Sequence, residues 1–307
     1  MEMRRLGRNG LEVPALCLGT MTFGFQVDEP RSAEILDAAF ERGLTFLDTA
    51  DAYPLGGSLD TVGATEAIIG RWMKARGNRD RIILATKCFA PMRHGPNASG
   101  LSRQHIIESI DASLRRLQTD HVDLYQAHAF DPRVPIEESL RAFDDLVRAG
   151  KVRYVGCSNY PAWRLGQALA AADRLGLTRY ASLQPRYNLL YREIETEVLP
   201  LVRAEGLGVL TYNPLAGGLL TGKYRRDAGL QHDTRFTLAP PRRSTRTVTG
   251  RTRISTQSPR STHCCATAAF RWSAWPSAGC CSRRASRRRS SARAAPINSM
   301  QTSRRST

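Results

Sequence analysis

The chain has 307 residues, with 45 Lys+Arg against 28 Asp+Glu, for a formal charge of +17. That length can bury one large core or two medium ones, and a balance so basic points to nucleic acid or an anionic surface. The charge sits at one end, however: from Ala239 to Thr307 there are 15 Arg, no Lys and no acid, so residues 1–238 are nearly neutral and the basic signal does not describe them.

The cysteines divide at the same place. Cys17, Cys88 and Cys157 stand singly in apolar stretches, which reads as small buried thiols in a reducing compartment. Cys264, Cys265, Cys280 and Cys281 form two adjacent pairs without C-x-x-C spacing, and His263 does not complete a zinc site, so no metal is expected. The opening MEMRRLGRNG has no apolar core of a signal peptide, and no run is long enough to span a bilayer. The expectation is a cytoplasmic protein without a membrane partner.

In chain order, RRLGRNGLEV reads as a small hairpin turning at Asn9-Gly10. Short apolar runs then alternate with helical patterns: LCLGT (16–20), TFLDTA (45–50), RIILATK (81–87), VDLYQAH (122–128), VRYVGCS (152–158), YASLQP (180–185) and LGVLTYNP (207–214). Between them lie RSAEILDAAFERG, TEAIIGRWMKAR, SRQHIIESIDASLRRLQ, IEESLRAFDDLVRAGK, WRLGQALAAADRLG and REIETEVLPLVRAEG. Ile106, Ile110, Leu114 and Leu117 recur at helical spacing behind Ser102 as N-cap, and Gly43, Gly150, Gly176 and Gly206 stand where helices close. Repeated βα units imply a parallel α/β sheet with right-handed crossovers. About seven units are countable, one short of a (β/α)₈ TIM barrel. A doubly wound sheet competes, but GTMTFG is not the G-x-G-x-x-G loop such a sheet carries after its first strand. The barrel is favoured, with its eighth strand expected beyond residue 238.

In a barrel the C-terminal strand ends converge on one mouth. They supply Asp48 and then Tyr53, Lys87, His128, Ser158 with Asn159, Gln184, and Tyr212. Each alone is compatible with structure only: a bonded His, a rim Tyr, an ion pair. Together they place polar groups at nearly every buried strand end, which burial opposes unless something uses them. An Asp–Lys pair beside a Tyr holds an ammonium near the phenol, favours phenolate, and lowers the Tyr pKa from its reference near ~10. Tyr53 could then protonate an alkoxide near neutral pH, with His128 orienting a carbonyl. Ser158, Asn159 and Gln184 suit a carboxamide, and Tyr212 offers a ring face. No side chain here delivers hydride, so a nicotinamide is implied.

FLDTADAY, ATK, DLYQAH, GCSN and YNPLAGGLLTGKY resemble the aldo-keto reductase family, over essentially residues 3 to 238. The resemblance implies a (β/α)₈ barrel and NADPH-dependent reduction of a small-molecule aldehyde or ketone without a metal. It implies Tyr53 as general acid, tuned by Lys87 and Asp48, with His128 as carbonyl orienter. It also implies that Ser158, Asn159 and Gln184 hold the nicotinamide carboxamide and that Tyr212 stacks on the ring. Asn213 to Gly218, including Leu215 and Gly217, matches the family's pyrophosphate-covering loop, and Gly19, Thr20 and Met21 approach the nicotinamide. CFAPMRHGPNASG (88–100) is expected to line part of the substrate pocket.

The likeness stops near residue 238, before the last strand and the adenosine-binding helix. The rest is rich in Arg, Ser, Ala, Pro and Cys, as GC-rich coding DNA is when read out of frame. Taking the last base of each codon with the first two of the next, Trp275-Pro276 forces Ala, and Arg289 to Ala294 permit I-V-G-A-S, the family's last strand. Residues 239–307 are therefore read as a frameshifted, disordered tail. The rival is a genuine basic arm that binds polyanions nonspecifically. A barrel short of its eighth strand has two open edges, so aggregation and weak NADPH affinity are expected of the chain as written. Beside the reductase stands a second class, a non-catalytic NADPH-binding regulatory subunit, because a fold does not fix a function.

Overall fold

A computed structural model describes residues 1–224; the tail, and with it the frameshift and eighth-strand readings, lies outside the described residues. Strands β1 (Met3–Arg5) and β2 (Glu12–Pro14) pair antiparallel, with Arg4 opposite Val13. The hairpin is real, but its turn is not the two-residue Asn9-Gly10 turn. Leu6 N–H bonds the Leu11 carbonyl, leaving a four-residue loop in which Gly7 takes the positive φ, 63°. Tertiary contact decides this. Arg8 N–H donates to the Gly206 carbonyl, and a Cβ on Gly7 would stand 2.5 Å from the backbone there, so only glycine lets the hairpin seat.

The remaining strands form one parallel sheet in chain order: β3 (Leu18–Gly19), β4 (Phe46–Asp48), β5 (Ile83–Cys88), β6 (Val122–Ala127), β7 (Val152–Ser158), β8 (Ser182–Gln184) and β9 (Gly208–Val209). Helices α1 (Glu29–Glu41), α2 (Ala64–Arg76), α3 (Arg103–Leu117), α4 (Ile136–Arg148), α5 (Ala162–Leu175) and α6 (Val198–Glu205) alternate with them. This is the α/β strand order of a (β/α)₈ barrel, seven strands of which fall among the described residues. Ser102 caps α3 as expected, its hydroxyl accepting the His105 N–H. The expected helix from Arg192 is shorter: a 3₁₀ turn covers Glu193–Glu195 and α6 begins at Val198. Pro200 explains this. Its ring would collide with the Thr196 carbonyl in a continuous helix, and it is tolerated only in the first turn.

The period-two pattern of each strand sorts side chains to two cores. Inward, Leu6 and Val13 of the hairpin region pack with Phe46, Ala85 and Leu124 at the barrel floor. Outward, Leu84, Tyr125, Val155 and Leu183 meet helix residues such as Ile106, Phe143 and Leu165. Burying each such aliphatic or aromatic side chain contributes roughly 1.5–3 kcal/mol. Cys88 and Cys157 are buried as expected, but Cys17 is exposed. It precedes β3, which pairs with β4. No helix among the described residues is long and apolar enough to cross a membrane.

Candidate active site

The strand ends bring the four expected reactive residues together. Asp48 ends β4, Lys87 stands one residue before the end of β5, and His128 follows β6. Tyr53 lies five residues past Asp48, where the chain leaves the sheet toward α2; its carbonyl accepts the Gly63 N–H at the mouth of that helix.

Lys87 is fully buried. Its Nζ donates to Asp48 Oδ2 at 2.6 Å and to the Thr49 carbonyl at 2.8 Å, and lies 5.1 Å from the centre of the Tyr53 ring. Burial alone would depress its pKa, but the Asp48 carboxylate and the hydrogen-bonded Tyr53 oxygen outweigh it, and the net shift is upward. Lys87 is thus a permanent ammonium wedged between a carboxylate and a phenol. His128 packs edge-on to Tyr53, ring centres 5.8 Å apart at 82°. Burial, assisted by the Lys87 charge, lowers its pKa to about 3, so it stays neutral at physiological pH and offers a neutral N–H.

The amide and hydroxyl groups form a bonded chain along the next two strands. Ser158 Oγ donates to the Gln184 carbonyl at 2.8 Å and accepts from Asn159 Nδ2 at 3.0 Å. Asn159, at φ 59°, also reaches the His128 carbonyl at 3.1 Å, and its Oδ1 accepts the Tyr212 hydroxyl at 2.9 Å. Gln184 Nε2 donates to Asp48 Oδ1 at 2.9 Å, which links the carboxamide set to the reactive set.

A Cβ on Gly19 would meet nothing within 4 Å, so the end of β3 borders open space. Thr20 is buried, its hydroxyl donating to the Asp48 carbonyl at 3.0 Å, which ties β3 to β4. The Met21 carbonyl accepts the Leu55 N–H. Asn213 Oδ1 accepts the Gly217 N–H at 2.7 Å, while the Ala216 and Gly218 amides bond to Asn213 and Leu215 carbonyls. That loop is folded on itself, with Ala216, Gly217 and Gly218 all left-handed and Leu215 exposed. The expected pocket loop is pinned by Met92 N–H to the Ala98 carbonyl and Gly100 N–H to the Phe89 carbonyl.

Two features escape the strand-end reading. Gln126, fully buried, donates to Asp48 Oδ1 at 3.0 Å. Its signal was the period of two: it stands on the inward face of VDLYQAH between Leu124 and His128. Behind the sheet, Asp51 is wholly buried beside the Glu66 carboxylate. Nearby, Glu66 accepts from Thr86 Oγ1 and from Arg116.

A sequence model of the Aldo/keto reductase family matches residues 15–266. The chain belongs to the aldo/keto reductase family. It is an oxidoreductase of the kind that works with a nicotinamide dinucleotide. Among similar proteins, "Uncharacterized oxidoreductase YrpG" of Bacillus subtilis is 46% identical over 228 residues, 73% of this chain and 69% of the relative. A "Probable voltage-gated potassium channel subunit beta" of Arabidopsis thaliana is 40% identical over 243 residues, 78% of this chain and 71% of the relative. "Protein tas" of Escherichia coli is 36% identical over 249 residues, 74% of this chain and 72% of the relative.

The described residues of this aldo/keto reductase fit a nicotinamide on chemical grounds. Gly19 at the end of β3 borders open space, and the ends of later strands carry the amide groups of Asn159 and Gln184, the Ser158 hydroxyl and the half-buried Tyr212 ring. Among the described residues, no group of three His, Cys, Asp or Glu could hold a metal ion.

Proposed function

We propose that this reductase converts a small aldehyde or ketone to the alcohol with NADPH, Tyr53 giving the proton. The observation that carries the reading is the Lys87 ammonium, fully buried against the Asp48 carboxylate and hydrogen-bonded to the Tyr53 phenol. A buried cation beside a phenol stabilises the phenolate left after proton transfer, so the phenol becomes the stronger acid. Asp48 keeps the buried ammonium charged. His128, neutral and edge-on to Tyr53, donates an N–H to the carbonyl oxygen and aims it at the phenol. Bound reduced nicotinamide supplies the hydride. Ser158, Asn159 and Gln184 would hold its carboxamide, Tyr212 would offer it a ring face, and Gly19 would leave room for it. Asn213 to Gly218 would close over the pyrophosphate by exchanging the loop's internal amide bonds for phosphate oxygens.

The test is loss of NADPH absorbance on adding aromatic or aliphatic aldehydes, at high NADPH and against NADH as competitor. Saturable, aldehyde-dependent oxidation that favours NADPH is expected. The 40% identity to a protein named as a channel β subunit favours a second reading, a cofactor-binding regulatory subunit. Cofactor binding with no oxidation by any aldehyde would select that reading. Neither binding nor oxidation would refute both.

A further inference from the structure

Gln126 carries a role that its neighbours on the strand do not. It stands on β6 in register with Lys87 of β5 on one side and Gly156 of β7 on the other, and Gly156 pairs in turn with Ser182 of β8. Gln126 Nε2 and Gln184 Nε2 reach Asp48 Oδ1 at 3.0 and 2.9 Å, while Lys87 occupies Oδ2 at 2.6 Å. A carboxylate only accepts, so the Gln126 amide can present only its N–H end there. The other end has no partner: Gln126 Oε1 is buried without a hydrogen bond, as is Ser182 Oγ. Glycine between them makes the row possible, because a Cβ on Gly156 would lie 2.7 Å from Ser182 Oγ and 3.3 Å from Gln126 Cγ.

A buried amide oxygen left unpaired is unfavourable. Leucine would avoid that cost, as Leu124 does two residues earlier on the same inward face. An amide with one end unsatisfied and the other held by Asp48 points to work done through Asp48. We propose that Gln126 is a positioning residue: with Gln184 it fixes the plane of the Asp48 carboxylate, so that Oδ2 holds the Lys87 ammonium within reach of Tyr53. The proposal rests on Tyr53 as the proton donor. Without Gln126, Oδ1 keeps one amide, the carboxylate turns, and its less shared charge draws the ammonium from the phenol. Phenolate is then less favoured.

The test compares Gln126→Leu and Gln126→Met with wild type. Tyr53 ionisation is followed by ultraviolet difference absorbance against the matching Tyr53→Phe background, beside kcat against pH and a thermal melt. The expected result is a Tyr53 titration displaced upward by about 0.5–1 pH unit, with kcat at neutral pH down roughly ten-fold. NADPH affinity and KM should hold, and the melt should show a folded variant. If Tyr53→Phe is inactive but a folded Gln126 variant keeps the wild-type titration and kcat, the positioning role alone is overturned. If Tyr53→Phe keeps its activity, the proton-donor reading and this proposal fall together.

Discussion

Lys87→Met removes the ammonium and leaves its length. Lys87 is wholly buried and the Asp48 side chain is 11% exposed, so the variant strands a carboxylate with almost no water to turn to. Breaking a buried pair on one side costs about 3–5 kcal/mol. Asp48 would keep the Gln126 and Gln184 amides on Oδ1, which places the expected loss near the lower end, about 3 kcal/mol. Adding Asp48→Asn removes the stranded charge, so the double variant should be more stable than Lys87→Met alone by about 1–2 kcal/mol. Urea unfolding of the four proteins in the cycle measures both quantities, and turnover should fall about 10²–10⁴-fold in either Lys87 variant. A Lys87→Met cost under about 1 kcal/mol, or a double variant as unstable as the sum of the singles, would refute the buried-pair argument.

Three further outcomes follow from the structure. His128 is already neutral above about pH 3, so kcat/KM against pH should show no limb from it between pH 5 and 8; a limb there that vanishes in His128→Gln would contradict this. Burial first, then the Glu66 charge, raises the Asp51 pKa well above its usual value, so the folded chain binds a proton that the unfolded chain releases near pH 4. Stability from this group therefore falls as pH rises from about 4. Asp51→Asn should accordingly raise the melting temperature more at pH 8 than at pH 4, and an equal change at both would count against a protonated Asp51. Phe143 is fully buried, 5.5 Å from the Tyr125 ring and 6.3 Å from Tyr180; Phe143→Ala should cost about 3–5 kcal/mol by urea unfolding, and a cost below 1 would mean that the layer repacks freely.

The βα rhythm was legible because hydrophobic period is local: each of the seven apolar runs became a strand, and each helical pattern a helix. What the rhythm missed came from contacts distant in sequence. The hairpin turn moved from Asn9-Gly10 to Gly7 because the loop seats on Gly206, two hundred residues away. α6 lost its first turns to Pro200, a local signal that apolar spacing concealed. The candidate cluster was readable where polar residues end strands, since a buried polar group needs a reason. Gln126 escaped because it sits inside a strand, one register step below His128, where its partner Asp48 is 78 residues away. Thr20, just past β3, has a further bond that the sequence did not reveal, from its hydroxyl to the Asp48 carbonyl.

Tyr53→Phe decides whether this phenol is the proton donor, with NADPH binding by fluorescence titration and turnover measured on the same sample. The variant keeps the ring that packs against His128 and loses only the hydroxyl at Lys87. Turnover lower by about 10²–10⁴-fold with NADPH affinity nearly unchanged is the predicted result. Full activity in the variant would remove Tyr53 as the acid and contradict the account.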